Sequence, residues 1–482
     1  MKSGVFYGRE DLIRDLDRLW SKRTASFVTC RGRRRIGKST LIEHFAEISG
    51  AEFIKVEGLR PKGGIGNAEE LAYFASQLAE VAVVDDTPPS NWLNAFKRLD
   101  AVISDKRRTV VLLDEISWMA HDDPTFAGTL KTAWDNLFKK HPKLVFVVCG
   151  SVSAWIRENI IEDGSFYGRR SLDLVVPELP LAVCVKFWGK AAARLDVREI
   201  IDVLSVTGGV PRYLEEVVAA STANENIRML AFRAQSVLRT DFDEMFADVV
   251  TKQPTLSGRI LRSLVDGGHT AAELAALLSI ERNGNITKAL VQLEEAGLLS
   301  SDAGKNPETG EDLRERRYRL KDNYCRFYLK YVEKAKDVID KGQYEFGSLD
   351  QLEGWESIRG LAFENLVVNN SAALRPLLGI GQSTVLSVAP YRRAGSRDGS
   401  RKGVQVDLLL QTRRSNYLVE IKRKREIGRE VISEMEEKVK LMRRREGVSM
   451  RTALVYEGEL APIVEADGYF DAIVPFRRLL GL

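Results

Sequence analysis

The sequence predicts a multidomain α/β protein, and three observations carry that prediction. In the first third, short uniformly apolar, β-branched runs alternate with segments whose apolar positions recur at helical spacing. In the middle, three short helical patterns lead into a turn-rich loop and a strand. Toward the C-terminus a helix, two adjoining strand patterns, a second helix and a further strand form another unit. At 482 residues the chain is longer than one core usually serves, at roughly 100–200 residues per domain.

Composition narrows the class. Hydrophobic residues at 44% and charged residues at 29% are ordinary globular values, which argues against a disordered or fibrous chain. There is no run of about 18 apolar residues, and the opening MKSGVFYGRED lacks an apolar signal region, so a cytoplasmic protein without a membrane span is expected. Cys30, Cys149, Cys184 and Cys325 lie far apart with no CxxC, which predicts buried reduced thiols rather than a zinc site. The net charge of +4 is small, but Arg413 to Arg445 is dense in arginine and lysine interrupted by glutamates. That stretch reads either as a phosphate-neutralising surface or as a solvated helix of mixed charge.

The elements follow in order. Ser26 to Arg31 is a strand running into a glycine loop, and Ser39 to Ile48 is a helix leaving it. Thr109 to Leu113 and Leu144 to Cys149 read as parallel strands buried on both faces, with helices expected over Glu69 to Val81 and Thr125 to Phe138. The first domain is expected over 1–180. Helical spacing from Ala191 to about Asp248, broken by the turn Thr207-Gly208-Gly209-Val210-Pro211, suggests a helical lid over 181–250. Helical patterns over Pro254 to Val265, Ala271 to Leu278 and Asn285 to Ala296, then a loop and a strand at Arg316 to Leu320, give a winged-helix layout over 251–335. The remaining 336–482 carries a helix at Ile358 to Asn369, strands at Val404 to Gln411 and Ser415 to Lys422, a helix at Gly428 to Arg443 and a strand at Arg451 to Tyr456.

Gly32, Arg33, Arg34, Arg35, Ile36, Gly37, Lys38 and Ser39 spell G-x-x-x-x-G-K-S between that strand and that helix, the context a phosphate-cradling P-loop requires. Loop N–H groups and the helix N-terminus, with Thr40 next in line, would surround the phosphates of ATP. Lys38 would meet the β- and γ-phosphates, and Ser39 would hold Mg²⁺. Asp114 and Glu115 end the second apolar strand. Asp114 is expected in the Mg²⁺ shell, with Glu115 orienting or deprotonating the attacking water. Ser151, after the third strand, is a candidate contact for the γ-phosphate or the lytic water.

Phe6-Tyr7-Gly8-Arg9-Glu10, GRRRIGKS, LLDEI, CGS and TGGVPRYL together resemble the AAA-type P-loop ATPases of archaea and bacteria, over about residues 5–215. The resemblance implies a P-loop NTPase parallel sheet, places Tyr7 and Gly8 near the base, and makes Arg169 or Arg170 a candidate arginine finger in cis or in trans. A surface salt bridge would explain the two arginines equally well. Arg212, in the lid turn, is a further candidate for the nucleotide.

In the last domain Asp407 sits in one apolar run and Glu420-Ile421-Lys422 in the next, so the carboxylates fall on neighbouring strands, with Glu420 and Lys422 on one face. Two carboxylates and a lysine so placed can hold a divalent cation and activate water against a phosphodiester. The arrangement resembles the PD-(D/E)xK nucleases, with Glu364 resembling their upstream acidic residue and Val406 standing where proline is usual. Such nuclease-like domains commonly end ATPases of the kind above. Hard oxygen ligands imply Mg²⁺ or Mn²⁺. Ion pairing of Asp407 or Glu420 with nearby lysines is the competing reading. Asn285, Thr287, Lys288 and Gln292 are the candidate outward positions of a DNA-reading helix. The expectation is a Mg²⁺-dependent ATPase coupled to a nucleic-acid-directed, nuclease-like domain, with DNA as partner. A nucleotide-dependent switch binding a protein partner through an inert fold is the alternative, and a homo-oligomer stays open.

Overall fold

The computed structural model describes residues 6–61, 65–82, 85–150, 153–249, 254–281, 283–313, 315–381, 384–396 and 402–482. The chain divides into two compact units, Met1–Glu178 and Leu179–Leu482.

In the first unit β1 (Ser26–Arg31), β2 (Glu52–Glu57), β3 (Thr109–Asp114), β4 (Leu144–Gly150) and β5 (Arg170–Val175) form one sheet in the order β2-β3-β4-β1-β5. Every pairing is parallel, so each connection must cross over. The crossovers use α2 (Lys38–Ile48), α3 (Asn67–Val81), α4 (Trp92–Val102), α5 (Ile116–Met119), α6 (Phe126–Asn136) and α7 (Ser153–Ile156), with α1 (Glu10–Asp17) leading in. The three interior strands are the three that the sequence predicts, because burial on both faces makes them uniformly apolar. The edge strands β2 and β5 were not expected. Each has only one long neighbour and a partly exposed face, so EFIKVE and RSLDLV carry charges that mask the strand pattern. Aromatic rings fill one face of the sheet: Phe27 stacks on Phe146 at 5.8 Å, Phe146 on Phe138 at 4.6 Å, and Trp92 meets Phe126 edge-on at 4.8 Å. Cys30 and Cys149 lie side by side across β1 and β4 as free thiols, and the contact with Cys30, together with burial, pushes the Cys149 thiol up.

The second unit opens with α8 (Leu181–Cys184), α9 (Val197–Thr207), α10 (Pro211–Leu214), α11 (Ala223–Ala231) and α12 (Val237–Val249). Next come α13 (Pro254–Ser263), α14 (Ala271–Leu277) and α15 (Gly284–Glu295), accompanied by the short strands β6 (His269–Thr270), β7 (Leu299–Asp302) and β8 (Arg317–Leu320) in an antiparallel sheet ordered β6-β8-β7. Helices α16 (Asn323–Phe327), α17 (Glu333–Asp340), α18 (Trp355–Asn369) and α19 (Ser371–Leu377) lead to a five-stranded sheet. It contains β9 (Val385–Arg393), β10 (Val404–Thr412), β11 (Ser415–Ile427), β12 (Ser449–Leu460) and β13 (Ala472–Pro475), with α20 (Glu430–Leu441) and α21 (Pro462–Ala466) between strands. The order is β13-β12-β11-β10-β9, antiparallel from β9 to β11 and parallel from β11 to β13.

This sheet is covered on both faces. Ile200, Ile201 and Leu204 of α9 and Phe363, Leu366 and Val367 of α18 pack with Leu408, Leu410, Val419 and Ile421. Val431, Ile432 and Met435 of α20 pack with Val406, Leu409 and Leu418. The α9 helix therefore shares one core with the C-terminal sheet. The change of face between Val406 and Leu408 has a local cause: Val406 pairs with Tyr391 and Leu409 with Ala389, so Asp407 and Leu408 together oppose Pro390. Proline has no N–H for the ladder, and a bulge there leaves none unanswered. No helix among the described residues is long and apolar enough to cross a membrane.

Glu70 lies on the core side of α3, 5% exposed, and burial pushes its carboxyl up to about 7 from 4.5. Below about 4.5 both folded and unfolded chains are protonated here, and the residue costs nothing. Between the two values the unfolded chain ionises first, so stability falls as pH rises, and above about 7 the loss is complete. At about 1.4 kcal/mol per unit the first unit should lose on the order of 1–3 kcal/mol between pH 4.5 and pH 8 that Glu70→Gln does not lose. Denaturant titrations of both proteins at the two pH values would show it, and parallel pH dependences would refute it.

Candidate nucleotide site and carboxylate site

The carboxyl ends of β1 and β3 meet at the P-loop. Gly32 has φ 149°, and a Cβ there would stand 2.6 Å from the carbonyl oxygen of Val176, so the loop closes only with glycine. Gly37 caps α2 in the left-handed region at φ 84°, where glycine has no steric penalty. Between them Arg33 and Ile36 are buried while Arg35 is exposed, and Thr40 is exposed on the first turn of α2. Lys38, 7% exposed, donates to the carbonyls of Gly32 and Arg33 at 3.0 and 3.2 Å, and Arg33 donates to the Arg34 carbonyl at 3.0 Å. Ser39 Oγ lies 2.5 Å from Asp114 Oδ2. The hydroxyl and the carboxylate thus converge from two elements, and a hard-oxygen pair at the phosphate end of a P-loop suits Mg²⁺. Glu115 follows Asp114 in a left-handed conformation, φ 50° and ψ 47°, and its N–H donates to Asp114 Oδ1 at 3.1 Å.

One neighbour of this site escaped the sequence reading. Lys55 on β2 places Nζ 3.4 Å from Asp114 Oδ2, 3.3 Å from Glu43 and 3.8 Å from Glu57. Burial works against its charge, yet Asp114, Glu43 and Glu57 overcome it and hold the ammonium above its ordinary value. The only signal was a lysine in an alternating run whose strand character was itself hidden. Arg9 is buried and left-handed at φ 71°, donating to the carbonyls of Ile36 at 3.2 Å and Glu178 at 3.5 Å. It stands in the segment that supplied Tyr7 and Gly8, and Gly8 is likewise left-handed, at φ 74°.

The other candidates sit as follows. Arg169 forms a two-point pair with Asp135, Nε to Oδ1 at 2.8 Å and Nη2 to Oδ2 at 2.9 Å, and this contact lowers the Asp135 carboxyl to about 2. That is the salt bridge the sequence left open. Arg170 donates to the Ile161 carbonyl at 3.2 Å. Arg212 belongs to the second unit, where it pairs with Glu216 at 2.5 Å and Glu215 at 3.7 Å. Ser151 lies outside the described residues.

In the second unit Asp407 stands at the β10 bulge and accepts from the Ile421 N–H at 2.9 Å. Asp407 and Glu364, from β10 and α18, line one cavity of about 630 Å³. Burial raises both carboxyls; the charge of Asp407 raises Glu364 further, and that of Glu420 raises Asp407. Glu420, 1% exposed, is held by Lys422 at 2.9 Å and by Lys438 of α20. Lys422 also reaches Glu434 at 2.8 Å. Burial opposes the charge of Lys422, but Glu420 and Glu434 hold it well above the usual lysine value. Glu420 and Lys422 therefore do share a face, and Lys438 is a third member that sequence spacing could not reveal. Among the described residues no three acidic, histidine or cysteine side chains converge as a metal cluster, so Glu364, Asp407 and Glu420 do not close into one ligand set here. On α15, Asn285, Thr287 and Lys288 are exposed and Gln292 is half-buried.

Residues 6–217 match the family described as an ATPase domain predominantly from Archaea. An uncharacterised protein of Methanocaldococcus jannaschii is 23% identical over 368 residues, covering 75% of this chain and 76% of its own. A Walker-type ATPase of Pyrococcus abyssi superposes with a TM-score of 0.51 at 15% identity, covering 67% of this chain and 96% of the other. The ORC2 protein of Aeropyrum pernix, with ADPNP and ADP bound, gives a TM-score of 0.42 at 15% identity, covering 69% of this chain and 93% of the other. The Pyrococcus likeness is one of fold. The family match and the P-loop geometry together identify residues 6–217 as an ATPase domain, and through it the chain is an ATPase.

Proposed function

We propose that ATP hydrolysis in the first unit requires Mg²⁺ and is coupled to a nucleic-acid-directed, nuclease-like C-terminal domain. The observation that carries the ATP part is the convergence of Ser39 and Asp114 beside a Lys38 already turned into its loop. Loop N–H groups from Gly32 to Gly37 would cradle the phosphates, and Lys38 would leave its two carbonyls for phosphate oxygens. Ser39 and Asp114 would hold Mg²⁺, which when bound supplies positive charge beside the β- and γ-phosphates. Glu115 would orient the attacking water and take its proton. Tyr7 and Gly8 would border the base. Arg169, Arg170 and Arg212 are the cations available for transition-state charge, Arg169 only after leaving Asp135.

The chain works as four segments in this reading: a P-loop core over 1–180, a helical lid over 181–250, a winged helix over 251–335 and a PD-(D/E)xK-like domain over 336–482. Helices α13 to α15 beside the antiparallel β6-β8-β7 sheet support the third assignment, and the exposed Asn285, Thr287 and Lys288 suit DNA contact. For the fourth, Asp407 and Glu364 on one cavity, with Lys422 beside Glu420, support metal-dependent phosphodiester chemistry using Mg²⁺ or Mn²⁺. The second reading, a switch that binds a protein partner through an inert fold, draws on one observation: two lysines already neutralise Glu420.

Lys38→Ala should abolish nucleotide binding, while Glu115→Gln should bind normally and turn over at least about 100-fold more slowly. Undiminished turnover in Glu115→Gln would end the role given to that residue. Lys55→Met removes the cation beside Asp114, so nucleotide binding should reach half-saturation at several-fold lower Mg²⁺, read by titrating Mg²⁺ against a fluorescent ADP. An unchanged or rightward-shifted curve would show that Lys55 does not compete with the metal. For the C-terminal domain, Mg²⁺-dependent cleavage of labelled DNA should be lost in both Asp407→Ala and Lys422→Ala. If no form cleaves while ATPase activity is intact, the switch reading replaces the nuclease reading.

A further inference from the structure

The cavity that Glu364 and Asp407 line has walls of unlike chemistry. One side is the turn before β6 together with Asp302 of β7 and Arg317 and Arg319 of β8; the other is α18, Pro390 to Arg392 of β9 and Gln405 to Asp407 of β10. The sides are tied together by Arg319, which donates to Asn365 at 2.5 Å and Asn369 at 3.1 Å on α18 while pairing with Asp302 at 3.1 Å. A volume of about 630 Å³ is that of a small-molecule site, in the range of roughly 300–1,000 Å³. A double helix, whose major groove alone is about 12 Å wide, cannot enter such a space.

The charges show what would enter. Arg326 lines the cavity and is 2% exposed. Its guanidinium donates only to the backbone carbonyls of Leu264, Val265 and Leu320, and its buried Nε has no hydrogen-bond partner among the described residues. Arg317 and Arg319 are neutralised by Glu273 and Asp302, whereas Arg326 has no carboxylate within ion-pair distance among the described residues. Glu364 and Asp266 act on it only from beyond contact distance, and a buried cation with no anion in direct contact is costly unless one completes it. Arg392, exposed on β9, adds a second cation at the rim, and Tyr391 presents an aromatic wall between it and Pro390. Arginines for a phosphate and an aromatic side chain for a base, beside the two carboxylates, match a single nucleotide of an unpaired strand.

We propose that this chamber seats one unpaired nucleotide of a nucleic-acid strand, with its phosphate toward Arg326 and Arg392, so that the nuclease-like domain engages single strands or frayed ends rather than intact duplex. The inference rests on the nuclease-like reading for its chemistry, but binding tests it separately. In EDTA, fluorescence anisotropy of the full chain with a labelled twelve-nucleotide oligothymidine and with a blunt duplex of the same length should show the single strand bound about tenfold more tightly or better. Gln405→Trp, which fills the chamber from an exposed strand position, and Arg392→Glu should each weaken single-strand binding about five- to tenfold, with melting temperatures unchanged. Duplex bound as tightly as the single strand, or single-strand binding indifferent to both substitutions, would overturn the proposal. Single-strand binding that responds to both substitutions without any cleavage in Mg²⁺ or Mn²⁺ would uphold the chamber and remove the nuclease reading, so the two fail separately.

Discussion

The carboxylate of Asp114 is the point on which the first unit turns. It ends the central strand β3, accepts from Ser39 of the P-loop helix and from the N–H of Glu115, and faces Lys55 from the edge strand β2. A carboxylate 5% exposed is tolerable only when its oxygens are answered, and these three contacts answer them. Because they come from three different elements, the depth of α2, the exit of β3 and the register of β2 are fixed together. The left-handed turn at Glu115 follows from the same constraint: the chain must leave β3 sharply enough to return its own N–H to Asp114. Backbone of this kind costs of order 1–3 kcal/mol and is characteristic of functional sites.

The second unit has a comparable organising defect in its sheet. Pro390 can give nothing to the ladder, so β10 bulges opposite it, and the bulge changes the face of every residue that follows. Asp407 sits at the step, where its side chain accepts from the Ile421 N–H while lining the cavity. A regular strand would have buried it against one apolar layer or the other.

The sequence made the interior of each unit legible and its edges obscure. The strands β1, β3 and β4 could be read because double-sided burial leaves an apolar signature, and the P-loop because its glycines answer to specific backbone needs at Gly32 and Gly37. β2 and β5 could not, since half-exposed strands mix charges into the pattern, and with β2 went Lys55. Glu420 and Lys422 were correctly placed on one face by alternation, which is a local rule. The arrival of Lys438 from α20 and the separation of Glu420 from the cavity of Glu364 and Asp407 depend on helix packing and on the bulge, neither of which alternation encodes. Arg169 was legible as a charge and ambiguous as a role, because its partner Asp135 lies on α6, 34 positions earlier.

The location of Arg423 bears on how an ATPase domain and a carboxylate-bearing sheet could act together. The family match ends at residue 217 and so includes α9 and α10, yet α9 packs in one core with β10, β11 and β12. Arg423, its side chain only 3% exposed, is the polar rivet of that core: it pairs with Asp202 of α9 at 2.6 Å and Glu457 of β12 at 3.1 Å, and lies 6.0 Å from the ring of Phe363. Removing one partner of a buried pair of this kind costs roughly 3–5 kcal/mol, and close-packed interiors deform little. Helix α9 and strand β11 therefore move as one body, and the residue before Arg423 is Lys422. Any rearrangement that displaces α9 reaches β11 and the carboxylate site through packed side chains and needs no flexible joint.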